Sequence, residues 1–435
     1  MSQVRLGREA HQTDPEADRS AYQRDYDRIL FSGPFRRLQN KTQVLPLPKA
    51  EFVHTRLTHT LETSAVGRSL GMQAGRLLTS NSREDGVPAP EAWGQLVGAG
   101  CLAHDLGNPP FGHFGEEAIG AFFVQKKKAD QLRTLNEAQL QDLIQYEGNA
   151  AGFHQLTHHA PQISSLQGGL QLTAACLATF AKYPKPSVPQ RPDSGRASQK
   201  KFGYFQADRA AMEAVARSTG MEVKMESSYG AVYLRHPLAF LVEAADDICY
   251  NIIDLEDAFQ SGWVSRAEVE TYLGPLAEKA QNRPSYSKIH DPGEKMGYLR
   301  AHAINRLVDA CAQVFAEQHT AILEGRFDQA LVQSVPQAAV LRDLKKFSVA
   351  RIYRAEPILE LELSGYRIIH GLLEALWQAL QDPEQVYFRK MLALLPPPFR
   401  HLPQLDGYPR CLQLALYMGG LSDHEAIQLY QKING

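Results

Sequence analysis

The fourteen residues His104-Asp105-Leu106-Gly107-Asn108-Pro109-Pro110-Phe111-Gly112-His113-Phe114-Gly115-Glu116-Glu117 constrain this chain more than any other stretch. They hold two histidines, three carboxylates, three glycines and two prolines, a mixture that packs poorly and suits holding a cation or moving protons. Just upstream, Leu96, Ala99, Leu102 and Leu106 recur at three- and four-residue steps, which predicts a helix over 95–106 with His104-Asp105 on its last turn. Gly107 is expected to stop that helix, and Asn108-Pro109-Pro110 to keep the chain extended beyond it. The chain must then turn back, which brings His113 and Glu116 near His104-Asp105.

The rest of the sequence is almost uniformly helical in period. Arg19 to Leu38 sets Tyr22, Tyr26, Ile29, Leu30, Phe31 and Phe35 at largely helical spacing among charges, after a polar segment 1–18 that is expected to be frayed. Leu38 to Val44 reads as a loop or short extended piece, and Arg56 to about Leu78 as a helix in which Arg56 and His59, three apart, share a face. A loop over 81–90, a helix from Glu117 to Phe123, a solvated Lys126-Lys127-Lys128 run and a helix over 131–146 are expected next. His236-Pro237 opens a strong helix with Pro at its first position. There Leu241, Ala245, Ile248, Ile252, Leu255 and Phe259 form an apolar stripe, while Asp246, Tyr250 and Asp254 lie one turn apart on another. Further helical periods cover 300–323, 340–353, 361–380 and 412–431, and only Ala231 to Leu234 reads as strand, so the fold class is all-α.

With 435 residues, 44% of them hydrophobic, the chain can bury a large core. A formal charge of -2 excludes a generally basic nucleic-acid-binding character, so any anion site must be local. The main local excess lies between 182 and 201, where six Lys or Arg (182, 185, 191, 196, 200 and 201) stand against Asp193 in a Pro-, Ser- and Gly-rich stretch. That stretch reads either as a solvated loop or as a mobile cover bringing cations to a polyphosphate. Five scattered cysteines without a CxxC pair fit reduced thiols. No apolar run approaches the roughly 18 residues of a membrane span, and a soluble, cytoplasmic protein is expected.

His59, the His104-Asp105 pair and Asp246 together supply two imidazoles and two carboxylates. Such a mixed nitrogen and oxygen set suits one divalent cation, Mn²⁺, Mg²⁺ or Fe²⁺, with positions left for water and a phosphate oxygen. Gln43 is a neutral donor and acceptor of the kind that reads a hydroxyl, although a glutamine is commonly no more than surface.

The order H…HD…D resembles HD-domain metal-dependent phosphohydrolases. The resemblance sharpens in Arg24-Asp25-Tyr26-Asp27-Arg28-Ile29-Leu30, Lys41-Thr42-Gln43-Val44, Arg56-Leu57-Thr58-His59, HDLGNPPFGHFGEEAI from 104, YEGNAAGF from 146 and ADDICYNIIDLEDA from 245. These are similar to the bacterial deoxyguanosinetriphosphate triphosphohydrolase (dGTPase-like) family, over about Arg19 to Phe259 with weaker echoes near 360 and 420. The resemblance implies an HD-domain helical core over about 52–260 within one unit of 19–435, with a C-terminal helical region over about 261–435. It implies hydrolysis of deoxynucleoside triphosphates to deoxynucleoside and tripolyphosphate, and a homo-oligomer, often a hexamer. A nucleotide or single-stranded DNA effector is a further possible partner.

Carried over residue by residue, the family pattern implies a metal on His59, His104, Asp105 and Asp246, and an acid/base pair of His113 with Glu116 orienting it. It implies phosphate contacts from Arg56, Lys182, Tyr183 and Lys201. Gln43 and Asp254 would hold the sugar 3′-hydroxyl, and Tyr250 would pack beneath the sugar where a 2′-hydroxyl collides. The tail departs from the family's more usual Ile-Ser-Gly-Met-Thr-Asp-type run, reading Tyr417-Met418-Gly419-Gly420-Leu421-Ser422-Asp423. Two other classes stay open: another HD phosphohydrolase, such as a 5′-nucleotidase or guanosine tetraphosphate hydrolase, and a regulator that binds nucleotide or single-stranded DNA without turnover.

Overall fold

A computed structural model describes residues 2–6, 19–45, 54–79, 88–158, 169–189 and 195–434. In chain order its helices are α1 (Ala21–Leu30), α2 (Gly33–Arg37), α3 (Arg56–Thr79), α4 (Pro90–Ala103), α5 (His113–Lys128), α6 (Glu137–Ile144), α7 (Gly148–Thr157), α8 (Ala174–Phe180) and α9 (Arg209–Thr219). There follow α10 (Pro237–Gln260), α11 (Arg266–Leu276), α12 (Pro284–Ser287), α13 (Pro292–Leu323), α14 (Ala338–Arg351), α15 (Glu356–Gln381), α16 (Val386–Ala393), α17 (Gly407–Gly420) and α18 (Asp423–Asn434). Among the described residues the only sheet is one antiparallel pair, β1 (Val223–Met225) with β2 (Val232–Tyr233), so the protein is all-α as expected.

Two apolar clusters organise these helices. The larger joins α1, α3, α4, α8, α10, α11 and α13 around Leu70, Leu96, Leu102, Leu241, Ile252 and Phe315. The second joins α5, α15 and α17 around Phe122, Phe123, Leu372, Leu376 and Leu414. Segment 104–112 runs from the end of α4, in the first cluster, to the start of α5, in the second.

Several elements differ from their sequence expectation for identifiable reasons. Helix α4 starts at Pro90, which suits a first helical position, and ends at Ala103, so His104 is its C-cap and His104-Asp105 lie just beyond it. Gly107 therefore does not stop the helix; it is needed because a Cβ there would collide with the backbone of Gly148 and Gly152 in α7. The turn is made by the two residues directly after the prolines, Phe111 and Gly112, both at φ +61°. The 19–38 period divides into two helices because Ser32 caps α2 and Pro34 occupies its start. The 412–431 period likewise divides, at Ser422, which exchanges reciprocal bonds with Glu425 at the head of α18.

Charged residues expected in solvent are partly internal. Lys126 is buried, bonds Glu374 at 2.7 Å and lies over the Phe122 and Trp377 rings, because α5 extends to Lys128 and packs on α15. In the basic stretch Lys182 and Lys185 are buried, and Arg196 pairs with Asp328 at 2.8 Å, while Arg191 and Asp193 lie outside the described residues. Of the terminus expected to fray, Arg5 is instead held at 2.5 Å by the buried Asp25, whereas residues 7–18 lie outside the described set. All five cysteines are free and buried. No helix among the described residues is long and apolar enough to cross a membrane.

Candidate metal centre

Three helices bring the histidines and carboxylates together. Helix α3 supplies Arg56 and His59 from its first turn, the end of α4 supplies His104 and Asp105, and α10 supplies Asp246. Helices α3 and α4 pack closely because glycines face each other: a Cβ on Gly71 would overlap the backbone of Trp93 and Gly94. As a result His59 Nε2 lies 3.2 Å from Asp246 Oδ1, and His104 Nε2 lies 3.4 Å from the same oxygen and 3.5 Å from Asp105 Oδ1. Ligands about 2.0–2.2 Å from one divalent ion stand roughly 3–3.5 Å from one another, so these spacings fit a cation.

The protonation of the group points the same way. His104 Nδ1 donates at 2.6 Å to the Cys101 carbonyl, which also accepts the His104 backbone N–H at 3.4 Å. In the neutral ring Nε2 then carries a lone pair that faces two carboxylates, an arrangement a cation relieves. Without a cation, burial opposes charge on His104, but Asp105 and Asp246 outweigh it and raise its pKa. Burial also opposes charge on Asp246, yet Lys182, His104 and His59 hold its carboxyl well below the usual range. Asp105 is held down to about 2, against burial, by His104, Arg56 and His59. Asp105 stands at the margin of the group: His59, His104 and Asp246 form the compact triad, while Asp105 Oδ1 accepts from Asn108 at 2.5 Å and Oδ2 pairs with Arg56 at 3.0 Å.

This group opens on a cavity of about 620 Å³. Of the residues singled out in the sequence, Gln43, Arg56, His104, Asp105, His113, Lys182, Tyr183, Lys201, Asp246, Tyr250 and Asp254 all line it. His59 and Glu116 do not; they stand behind it, bonded to Asp246 and His113. Lys182 Nζ bonds Asp246 Oδ2 at 2.7 Å, and Lys201 bonds Glu147 at 3.1 Å and lies 4.0 Å from Glu116. His113 heads α5 with three-quarters of its side chain exposed, its Nδ1 donating to Glu116 Oε2 at 2.8 Å. The other Glu116 oxygen accepts the Gly148 N–H at 2.8 Å. Burial opposes ionisation of Glu116, but its bond from His113 and the Lys201 charge lower its pKa.

A 39% identical relative from Synechocystis sp. aligns with all of this chain and 98% of its own length, and carries the name deoxyguanosinetriphosphate triphosphohydrolase-like protein. This chain belongs to that dGTPase-like family of HD-domain proteins. A relative of the same name from Pseudomonas aeruginosa is 35% identical over the whole chain and 98% of its own length. A Salmonella schwarzengrund protein named deoxyguanosinetriphosphate triphosphohydrolase is 29% identical over 95% of this chain and 93% of its own. The family model for the HD domain matches residues 56–165, which includes His59, His104-Asp105 and His113. Asp246 lies beyond that match, on α10.

Other cavity residues of this dGTPase-like protein were not singled out as site residues, although Leu361 and Glu362 fall in the weaker family echo near 360. Lys345, Tyr353, Ile358, Leu361 and Glu362 reach the cavity from the region of α14 and α15, about a hundred residues beyond Asp254. Tyr353 donates to Asp254 at 2.6 Å, and Lys345 Nζ lies 3.4 Å from the Tyr250 hydroxyl. Burial pushes Asp254 up to about 7, with Asp257 and Asp246 adding to it and the Tyr353 bond opposing. Gln43 Oε1 is buried without a hydrogen-bond partner.

A second His/Asp group, His154, His158 and Asp208, lies elsewhere. Both Nδ1 atoms approach one Asp208 oxygen, at 2.9 and 3.0 Å, but the imidazoles stack at 4.2 Å and within 7° of parallel. A single cation cannot lie in both ring planes in that arrangement. The geometry is that of a hydrogen-bonded cluster.

Proposed function

We propose that this cavity binds a deoxynucleoside triphosphate, dGTP among others, and cleaves it to the deoxynucleoside and inorganic tripolyphosphate. One observation carries the reading: a His/His/Asp cation site, three basic side chains and the His113–Glu116 pair converge on one cavity. Its volume falls within the roughly 300–1,000 Å³ usual for small-molecule sites.

His59, His104, Asp105 and Asp246 would hold one divalent ion, Mn²⁺ or Mg²⁺ with Fe²⁺ also suited. When bound, that ion supplies positive charge against the triphosphate and polarises a phosphoryl oxygen. Arg56, Lys182 and Lys201, with the Tyr183 hydroxyl, neutralise and orient the phosphate chain. Gln43 offers its unpartnered buried carbonyl to the 3′-hydroxyl proton, and Asp254, protonated, donates to the oxygen of that hydroxyl. Tyr250 underlies the sugar and leaves no room for a 2′-hydroxyl. Glu116 fixes the His113 ring through Nδ1, which leaves Nε2 to give a proton to the departing 5′-oxygen. Water adds to the α-phosphorus, the P–O5′ bond breaks, and no covalent enzyme intermediate is needed. Assembly into a homo-oligomer, a hexamer in the family pattern, belongs to the same proposal and is read from the mass in solution.

The test is product analysis with each deoxynucleoside triphosphate, singly and in mixtures, with Mn²⁺ or Mg²⁺ in ¹⁸O-labelled water. Deoxynucleoside and tripolyphosphate should appear in equal amounts, with the label in the tripolyphosphate. Monophosphate with pyrophosphate, or label in the nucleoside, would overturn the assignment of His113 to the 5′-oxygen. Binding without turnover under all of these conditions would replace the enzyme with a nucleotide-binding regulator.

A further inference from the structure

Asp423 opens the last helix and is 3% exposed, and it does not line the cavity. Its two carboxylate oxygens nevertheless accept backbone N–H groups from two stretches that do. Oδ1 accepts from Phe111 at 3.0 Å, 312 positions earlier, and Oδ2 from Thr42 at 3.0 Å, 381 positions earlier. Phe111 holds φ +61°, a left-handed backbone that a bulky aromatic residue rarely adopts. Together with Gly112 it forms the turn that delivers His113 to the head of α5. Thr42 immediately precedes Gln43.

A second tie runs parallel to the first. The buried Lys41 Nζ donates to the Asn108 carbonyl at 2.5 Å and to the Gly419 carbonyl at 2.8 Å, and Gly419 lies four residues before Asp423. Helix α15 takes part as well: Gly365 is required there because a Cβ would run into the Phe111 ring. The junction between α17 and α18 thus grips both the turn before His113 and the segment carrying Gln43. A buried carboxylate is tolerated at that point because each oxygen has a donor and Lys41 lies close by.

We propose that Asp423 is a positioning residue for the reaction, setting the spacing between the acid-bearing turn at 111–113 and the sugar-reading segment at 42–43. It touches neither substrate nor reacting atoms; it acts through Phe111 and Thr42. The inference rests on the nucleotide reading of the cavity for its kinetic consequence, but not for its structural one.

The discriminating variant is Asp423→Asn, which keeps the size but offers one acceptor oxygen and turns an NH₂ toward the other backbone N–H. Amide hydrogen exchange, melting temperature, metal content, and kcat and KM for dGTP with Mn²⁺ should be compared with the wild type. Exchange should accelerate at peptides containing Thr42 or Phe111 and not across α3 or α10, metal content should hold, and kcat should fall about tenfold or more with a smaller change in KM. Asp423→Glu, which keeps both acceptors, should recover part of kcat. Unchanged exchange at both peptides overturns the tie itself. A lower melting temperature with unchanged kcat for the folded enzyme overturns the positioning role. If the wild type turns over no deoxynucleotide, the nucleotide reading fails separately, and the exchange measurement still decides whether Asp423 holds the two segments.

Discussion

His113 Nδ1 lies 2.8 Å from Glu116 Oε2, one turn along α5, and the other oxygen of that carboxylate is anchored by the Gly148 N–H at the head of α7. An exposed histidine is thus oriented by a buried carboxylate that two helices hold in place. His113→Ala should keep metal content and substrate affinity while lowering kcat by about 10² to 10⁴. Glu116→Gln should give a smaller loss in the same direction, since the ring loses a charged acceptor but keeps an oxygen. Retained turnover in His113→Ala would mean that another group is the acid.

The compact triad of His59, His104 and Asp246, with Asp105 at its margin, orders the effect of two isosteric changes. Asp246→Asn should weaken divalent metal binding more than Asp105→Asn, and by at least the roughly 10–100-fold that loss of an outer-shell partner costs. Metal titration of both variants, with circular dichroism to confirm folding, checks the order. Equal affinity in the two would remove Asp246 from its central place.

Tyr250 lies beside Lys345 and on the cavity wall, one helical turn after Asp246. Tyr250→Ala should raise kcat/KM for ribonucleoside relative to deoxynucleoside triphosphates by about tenfold or more, because a steric barrier at C2′ is removed. An unmoved ratio would place sugar discrimination elsewhere.

Asp254 carries a stability cost that depends on pH. Its pKa is pushed up to about 7 in the folded protein, whereas an unfolded aspartate ionises near 3.9. The folded state therefore holds the proton more tightly, and stability is lost as pH rises from about 4 toward 7. Asp254→Asn cannot ionise, so its stability relative to the wild type should grow by about 2–3 kcal/mol between pH 5 and 8. Denaturant unfolding of metal-free protein at the two pH values measures this. A gap that does not widen would mean that the carboxyl is ionised in the fold.

Period and residue chemistry alone determined the helical class and the start of α10 at Pro237, while the grouping of His59, His104, Asp105 and Asp246 was read from the resemblance to the dGTPase-like family. The helices were legible because a 3.6-residue period writes each buried face into the sequence, and the candidate ligands because such side chains are rare enough in apolar surroundings to stand out. Tertiary structure decided what depends on neighbours distant along the chain. Gly107 could be read as a helix stop until the backbone of α7 was seen against it, and Lys126 as a solvent lysine until Glu374 was found beside it. Tyr353 on Asp254 and Asp423 on Phe111 and Thr42 bridge about 100 to 380 positions. No local pattern encodes such pairs, since a hydrogen bond needs only two groups within about 3 Å and the correct angle, and folding alone sets that distance.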